Sequence, residues 1–333
     1  MRYIIIGAGA VGGAIGGRLF EGGSEVVLVA RGAHYRALAE KGMTLLTPDG
    51  TAVLPVPAAD GPEGVELRPD DVLVLAVKSQ DTQAALEAWA DRPVAGGGTA
   101  AELLPLVCAQ NAVENERLAL RRFRRVYGMC VWLPATHLEP GVIGAEAFPL
   151  TGILHIGRYP HGADGTARRI AADLEACKLL APVSEDVMRW KYGKLITNLS
   201  NSLEALTGRI ESAQALELHH AAMAEGTRVL DAAGIGWTTD QERAEVAGDR
   251  LRYRPVPGVN RGGGSSWQSL ARGVGSIEAD YLNGEIVLLG RVHGLATPVN
   301  GVLQRLADRA ARTGQGPGST TPAELAALIA KES

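Results

Sequence analysis

The first residues whose types and spacing suggest chemistry are Gly7-Ala8-Gly9-Ala10-Val11-Gly12, a G-x-G-x-x-G run between the strand-like Tyr3-Ile4-Ile5-Ile6 and a small-residue helix. In that setting Gly7 makes the tight turn, Gly9 lets the backbone approach a pyrophosphate, and Gly12 permits close helix packing. The helix N-terminus then favours the phosphates. Residues 7–12 are therefore expected to hold a dinucleotide. Roughly 20 positions on, where an acid would grip the ribose hydroxyls, the chain has Ala30-Arg31. A carboxylate would repel a 2′-phosphate, whereas a guanidinium pairs with it. The expected cofactor is NADP(H) rather than NAD. Two further polar residues close apolar runs: Lys78 ends "DVLVLAVK" and Asn111 ends "LLPLVCAQN". Open α/β sheets bind ligands outside the carboxyl ends of their strands, so both are expected to touch cofactor or substrate.

A second group lies in "RWKYGKLITNLSNSL" (189–203). Lys191, Lys194, Asn198 and Asn201 fall at i, i+3, i+7 and i+10, which share one face of a helix. Leu195, Leu199, Leu203 and Leu206 form a neighbouring apolar stripe. A solvated edge beside a core stripe would explain the lysines. It explains the asparagines less well, since they are poor interior helix formers.

The elements that must position these groups follow from the remaining pattern. A chain of 333 residues with 46% hydrophobic and 21% charged residues is sized for about two globular domains. A net charge of −4 gives no electrostatic argument for nucleic acid or an anionic membrane. Cys108, Cys130 and Cys177 are too widely spaced for a metal site or a disulfide framework and suit a reducing cytoplasm. The first residues lead straight into a strand without a charged-then-apolar leader, and the following apolar stretch is broken by glycines and Arg18. Strands fully apolar on both faces (3–6, 25–30, 71–77, 103–109) alternate with helix-compatible stretches, which predicts a parallel sheet covered on both sides. Residues 43–56 read as a hairpin insert around Pro48-Asp49-Gly50. Residues 124–157 read as further strands, with a turn at Glu139-Pro140-Gly141. From about 186 the periodicity becomes helical, with helices expected over 186–207, 211–234, 264–273, 276–293 and 298–312. The last has Thr297 as cap and Pro298 in its first turn. The fold class is thus α/β: an N-terminal Rossmann-type doubly wound sheet over 1–185, then an all-α domain over 186–333. A short terminal helix follows the turn-rich 314–322.

These features resemble the ketopantoate reductases (2-dehydropantoate 2-reductases) over essentially the whole chain. The resemblance rests on "GAGAVG", "VLVAR", "VLVLAVKS", "QNAVENE", "WKYGKLITNLSN", "SSWQSLARGVGSIEADYLNG" and "HGLATPVN", in that order. It implies NADPH-dependent reduction of 2-dehydropantoate to pantoate. It implies Lys194 as the catalytic lysine, with Asn198 four residues later orienting it or the substrate. Glu278 of "SIEAD" would accept a hydrogen bond from a substrate hydroxyl. Ser266 would donate to the substrate carboxylate, with its neighbour Ser265 and with Asn201 and Ser202 on the substrate side. Lys191 would be a solvated neighbour. The helical domain would also serve dimerisation, and a homodimer is admitted. The chain departs from the family at Ala112 (usually glycine), Ser202 and Gly263 (usually asparagine), Trp267 (usually methionine) and Leu270 (usually aspartate). These departures leave cofactor binding and the Lys/Glu core intact but admit another 2-oxo acid on the same scaffold; a non-catalytic NADP-binding sensor is the alternative of a different class.

Overall fold

The computed structural model describes residues 1–259 and 262–332. The chain divides into two compact units, one of Met1–Lys191 with Thr239–Asn260 and one of Tyr192–Thr238 with Arg261–Ser333.

The first unit is built on an eight-stranded sheet. Its order is Leu179–Leu180, Gly152–Arg158, Val126–Trp132, Leu106–Cys108, Asp71–Leu75, Arg2–Ile6, Glu25–Val29 and Ala58–Ala59. Gly152–Arg158 and Val126–Trp132 are antiparallel, and the other neighbours are parallel. The continuous apolar run of the first strand is explained by its two covered faces. Tyr3 and Ile5 belong to one core cluster, and Ile4 and Ile6 belong to the other, as alternation of side chains across a sheet requires. The register with Asp71–Leu75 is pinned at its start, where Arg2 donates to both carboxylate oxygens of Asp71, at 2.6 and 2.7 Å. The chain runs outward from Arg2–Ile6 in both directions, which makes the switch point a crevice at the carboxyl ends of these strands.

The insert at 43–56 is a hairpin pairing Met43 with Leu54. It joins Ala135–Glu139 and Val142–Ala145 in a separate four-stranded sheet. Three short strands escaped sequence analysis: Ala58–Ala59, Leu179–Leu180 and Leu251–Tyr253. Leu251–Tyr253, within the stretch read as all helical, pairs with Ala147–Pro149 and belongs to the first unit. Three residues carry no readable period, and their partner lies about a hundred positions away. The helix Asp240–Ala247, capped by a Thr239/Glu242 capping box, was also missed.

The second unit is helical. Its helices include Ser200–Thr207, Ala213–Ala232, Ser265–Ala271, Asn283–Val292, Pro298–Arg312 and Pro322–Ile329. Leu195, Leu199, Leu203 and Leu206 are all buried, at 0–1% exposure. Each contributes roughly 1.5–3 kcal/mol by leaving water. Two long helices expected from the sequence are interrupted. The one at 186–207 splits into Val187–Asn198 and Ser200–Thr207. The one at 276–293 opens with a 3₁₀ turn, Glu278–Tyr281, before Asn283–Val292. Thr297 precedes the helix Pro298–Arg312 but makes no side-chain cap. The buried Glu225 carboxylate takes that role, accepting from Val299 N at 3.2 Å and Asn300 N at 2.8 Å. A negative group is favoured at that end of the helix. The three cysteines are buried and form no disulfide among the described residues. Among the described residues, no helix is long and apolar enough to cross a membrane.

Candidate active site

In the first unit the glycine loop, Lys78 and Asn111 follow three adjacent parallel strands. The loop is held by Val29 O, which accepts from Gly7 N at 3.1 Å and Ala8 N at 2.9 Å. Gly7 has φ +99°, and a Cβ there would lie 2.8 Å from Val77 N. At Gly12 a Cβ would meet Gly7 O at 2.2 Å, whereas around Gly9 nothing lies within 4 Å. The helix Ala10–Glu21 starts at Gly9 without a side-chain cap. Its first N–H groups and the open space over Gly9 therefore fit a pyrophosphate. Ala8 is buried, and Ala10 and Val11 are half-buried at the start of that helix. Arg31 follows the adjacent strand Glu25–Val29, is exposed, and makes no ion pair among the described residues. Lys78 and Asn111 are half-buried. Below them lies a buried amide lattice. Asn115 Nδ2 donates to Asn111 O at 2.8 Å, Thr82 Oγ1 to Asn115 Oδ1 at 2.7 Å, and Gln110 Nε2 to Val77 O at 2.9 Å.

His34 was not singled out from the sequence, yet it braces this loop. Gly141 N–H donates to His34 Nδ1 at 2.9 Å, which fixes the neutral tautomer. Nε2–H then donates to Ala8 O at 2.7 Å. The bond spans more than a hundred positions to the Glu139-Pro140-Gly141 turn, so local pattern could not reveal it.

The helix Val187–Asn198 belongs to the first unit up to Lys191 and to the second from Tyr192. Lys191 is not the solvated neighbour that sequence analysis expects. It is 3% exposed and donates to Glu116, which is 0% exposed. Burial pushes the Glu116 carboxyl up, against the pull of the Lys191 ammonium. Sequence gave no sign of this pair, because Glu116 lies 75 positions away.

In the second unit Lys194, Asn198 and Asn201 are half-buried. The Asn201 amide approaches Gly264, where a Cβ would lie 3.5 Å from Oδ1. Gly264 N donates to Glu204 Oε2 at 2.8 Å, which seats the start of the helix Ser265–Ala271 beside Ser200–Thr207. Ser265 is half-buried. Ser266 is 2% exposed, and its Oγ has no hydrogen-bond partner among the described residues. An orphaned buried hydroxyl costs roughly 1–3 kcal/mol, which a bound acceptor would relieve. Glu278 is buried at the start of its turn. Ser202 is 0% exposed and its Oγ donates to Asn283 Oδ1 at 2.6 Å, so its hydroxyl proton is used inside the fold.

The family described as "Ketopantoate reductase PanE/ApbA" matches residues 3–161, and its C-terminal part matches residues 186–311. The chain belongs to the ketopantoate reductase family. Its members among the curated relatives are 2-dehydropantoate 2-reductases, oxidoreductases acting on a CH–OH group. One from Mesorhizobium japonicum is 30% identical, covering 90% of this chain and 94% of its own. Among solved structures, a PanE/ApbA family ketopantoate reductase from Ralstonia eutropha JMP134 is 28% identical. It aligns with TM-score 0.76 over 95% of this chain and 100% of its own. D-mandelate dehydrogenase with NADH and anilino(oxo)acetate shares the fold at 20% identity, with TM-score 0.77 over 94% of this chain and 99% of its own.

The departures from the usual ketopantoate reductase pattern have local explanations. Ala112, where the family usually has glycine, adopts φ 65°. Gly263 and Trp267 are coupled, since a Cβ at 263 would lie 2.6 Å from the indole. The ring packs on its own loop, and an asparagine at 263 would displace it. Leu270 is 5% exposed and sits in the core.

Proposed function

We propose that this ketopantoate reductase reduces 2-dehydropantoate with NADPH, using Lys194 as proton donor. Bound NADPH supplies a hydride to the carbonyl carbon of the 2-oxo acid. The Lys194 ammonium stabilises the charge that develops on the carbonyl oxygen and transfers its proton there. Asn198, one turn further along, orients the lysine or the carbonyl. Ser266 donates to the substrate carboxylate and Glu278 accepts from the 4-hydroxyl. Ser265 and Asn201 line the same side. In the first unit the glycine loop holds the pyrophosphate, Arg31 the 2′-phosphate, and Lys78 and Asn111 another part of the dinucleotide.

The observation that carries this reading is the Ser266 hydroxyl, buried with no hydrogen-bond partner among the described residues. A protein that only sensed NADP would need the first unit's residues and gain nothing from an orphaned hydroxyl in the second. The consumption of Lys191 by Glu116 supports Lys194 as the donor. A different 2-oxo acid is the second reading. It is favoured by the absence of a polar group at Gly263 and Leu270 and by the internal bond of Ser202. Under either reading Glu278 is left as the group that recognises a hydroxyl.

The test is NADPH oxidation with a panel of 2-oxo acids, including 2-dehydropantoate and 2-oxo-3,3-dimethylbutanoate, which lacks the hydroxyl. 2-Dehydropantoate should be preferred, and Glu278→Ala should erase most of that preference. Lys194→Ala should lower turnover ~10²–10⁴-fold with NADPH affinity unchanged. Binding of NADPH with no acid reduced would establish the sensor reading instead.

A further inference from the structure

The Lys194 helix stops at Asn198, and Ser200–Thr207 continues after Leu199, whose φ and ψ of −59° and −26° remain helical. At such a joint the carbonyl needs a partner from elsewhere in the fold. That partner is Asn283, whose Nδ2 donates to Leu199 O at 2.9 Å. The same amide donates to Asn300 Oδ1 at 2.9 Å and accepts from Ser202 Oγ at 2.6 Å. Asn300 in turn donates through Nδ2 to Ala222 O at 3.1 Å and Glu225 Oε1 at 2.8 Å. Ser202, Asn283 and Asn300 are all 0% exposed. Asn283 is the first residue of its helix and directly follows the turn that opens with Glu278. A single amide therefore ties the carbonyl next to Asn198 to a point five residues beyond Glu278.

We infer that Asn283 is a positioning residue, setting the distance and angle between the Lys194/Asn198 helix and the Glu278 turn. The inference rests on the catalytic reading of Lys194, Asn198 and Glu278. An amide suits the task because it donates in two directions and accepts in a third from one rigid plane. A fully satisfied buried network selects a single geometry, and a displacement of about 1 Å at a reacting group costs about a hundredfold in rate.

The experiment compares Asn283→Ala, Ser202→Ala and Asn198→Ala in the full chain. Steady-state kinetics on 2-dehydropantoate, NADPH binding and thermal unfolding are measured for each. Asn283→Ala should lower kcat about 10–100-fold and raise KM for the acid, with the NADPH Kd within about twofold. Ser202→Ala removes one bond of the network and should lower kcat about 2–10-fold, which keeps the test informative if Asn283→Ala does not fold. On an Asn198→Ala background, Asn283→Ala should cost less than in the native chain, because less remains to be positioned. A purely structural role predicts lower melting temperatures with kcat unchanged in the folded variants, or equal losses on both backgrounds. Either result overturns the inference. If Lys194→Ala and Asn198→Ala themselves leave kcat intact, the catalytic reading fails and the inference falls with it.

Discussion

Lys191→Met removes the ammonium that faces Glu116 and leaves a carboxylate with 0% side-chain exposure. Glu116 Oε2 has no hydrogen-bond partner among the described residues even in the native protein. The carboxylate would thus lose its ammonium partner and could not reach water. Removing one member of a buried pair costs about 3–5 kcal/mol. At about 2–4 °C per kcal/mol for a unit of this size, the first unit should melt about 6–20 °C lower. The double substitution Lys191→Met/Glu116→Leu removes both charges together and should recover most of that loss. The deficit of the single variant has a pH signature. Burial already pushes the Glu116 carboxyl up, and without Lys191 it rises further, so the deficit should shrink as the pH falls and Glu116 takes up a proton. Thermal and urea unfolding from pH 5 to 8 would measure this, with turnover as a second arm. The double variant should keep turnover within a few-fold of native, in contrast to Lys194→Ala. A single-variant cost under about 1 kcal/mol, or a double variant no better than the single, would refute the reasoning. A double variant that is folded yet inactive would show that Lys191 takes part in the reaction.

Arg31→Ala should cut the NADPH/NADH efficiency ratio about tenfold to a hundredfold, as expected for a lost charge-assisted contact of roughly 1.5–3 kcal/mol; an unchanged ratio means that Arg31 does not read the phosphate. His155 is 3% exposed, stacks on Trp190 at 3.7 Å, and burial lowers its pKa from 6.5 to about 4. Its neutral form therefore contributes stability that is full above about pH 6.5 and is lost, by up to about 3 kcal/mol, as the pH falls toward 4. His155→Phe should flatten that slope in urea titrations. Ala112→Gly relieves a left-handed backbone at φ 65° and should raise unfolding stability by up to about 1 kcal/mol, read as a higher urea midpoint; a lower midpoint would count against strain at that position.

Much of this molecule was legible in its sequence because the signals are local. The apolar runs at 3–6, 25–30 and 71–77 declared buried parallel strands, since both faces of such strands meet core. The glycine run declared a turn into a helix because no other residue fits at φ +99° or against a carbonyl 2.2 Å from a Cβ. The leucines at 195, 199, 203 and 206 declared a core stripe through their spacing alone. The later motifs of the Lys194 and Glu278 segments carried the family resemblance in the same local way.

What only the tertiary structure decided concerns partners far apart in the chain. The two lysines of "WKYGK" look equivalent on a helical wheel. Packing separates them, because one helix passes from one unit to the next and Lys191 meets Glu116 while Lys194 does not. Nothing near Ser202 in the chain shows that its hydroxyl donates to Asn283, 81 positions away. Thr297 reads as a cap until Glu225 supplies one, and Leu251–Tyr253 becomes a strand only because Ala147–Pro149 offers an edge. Helical and strand periods are set by a residue's near neighbours. The choice between a solvated and a buried polar group is set by whether a complementary group arrives to offset desolvation, and that depends on the whole fold.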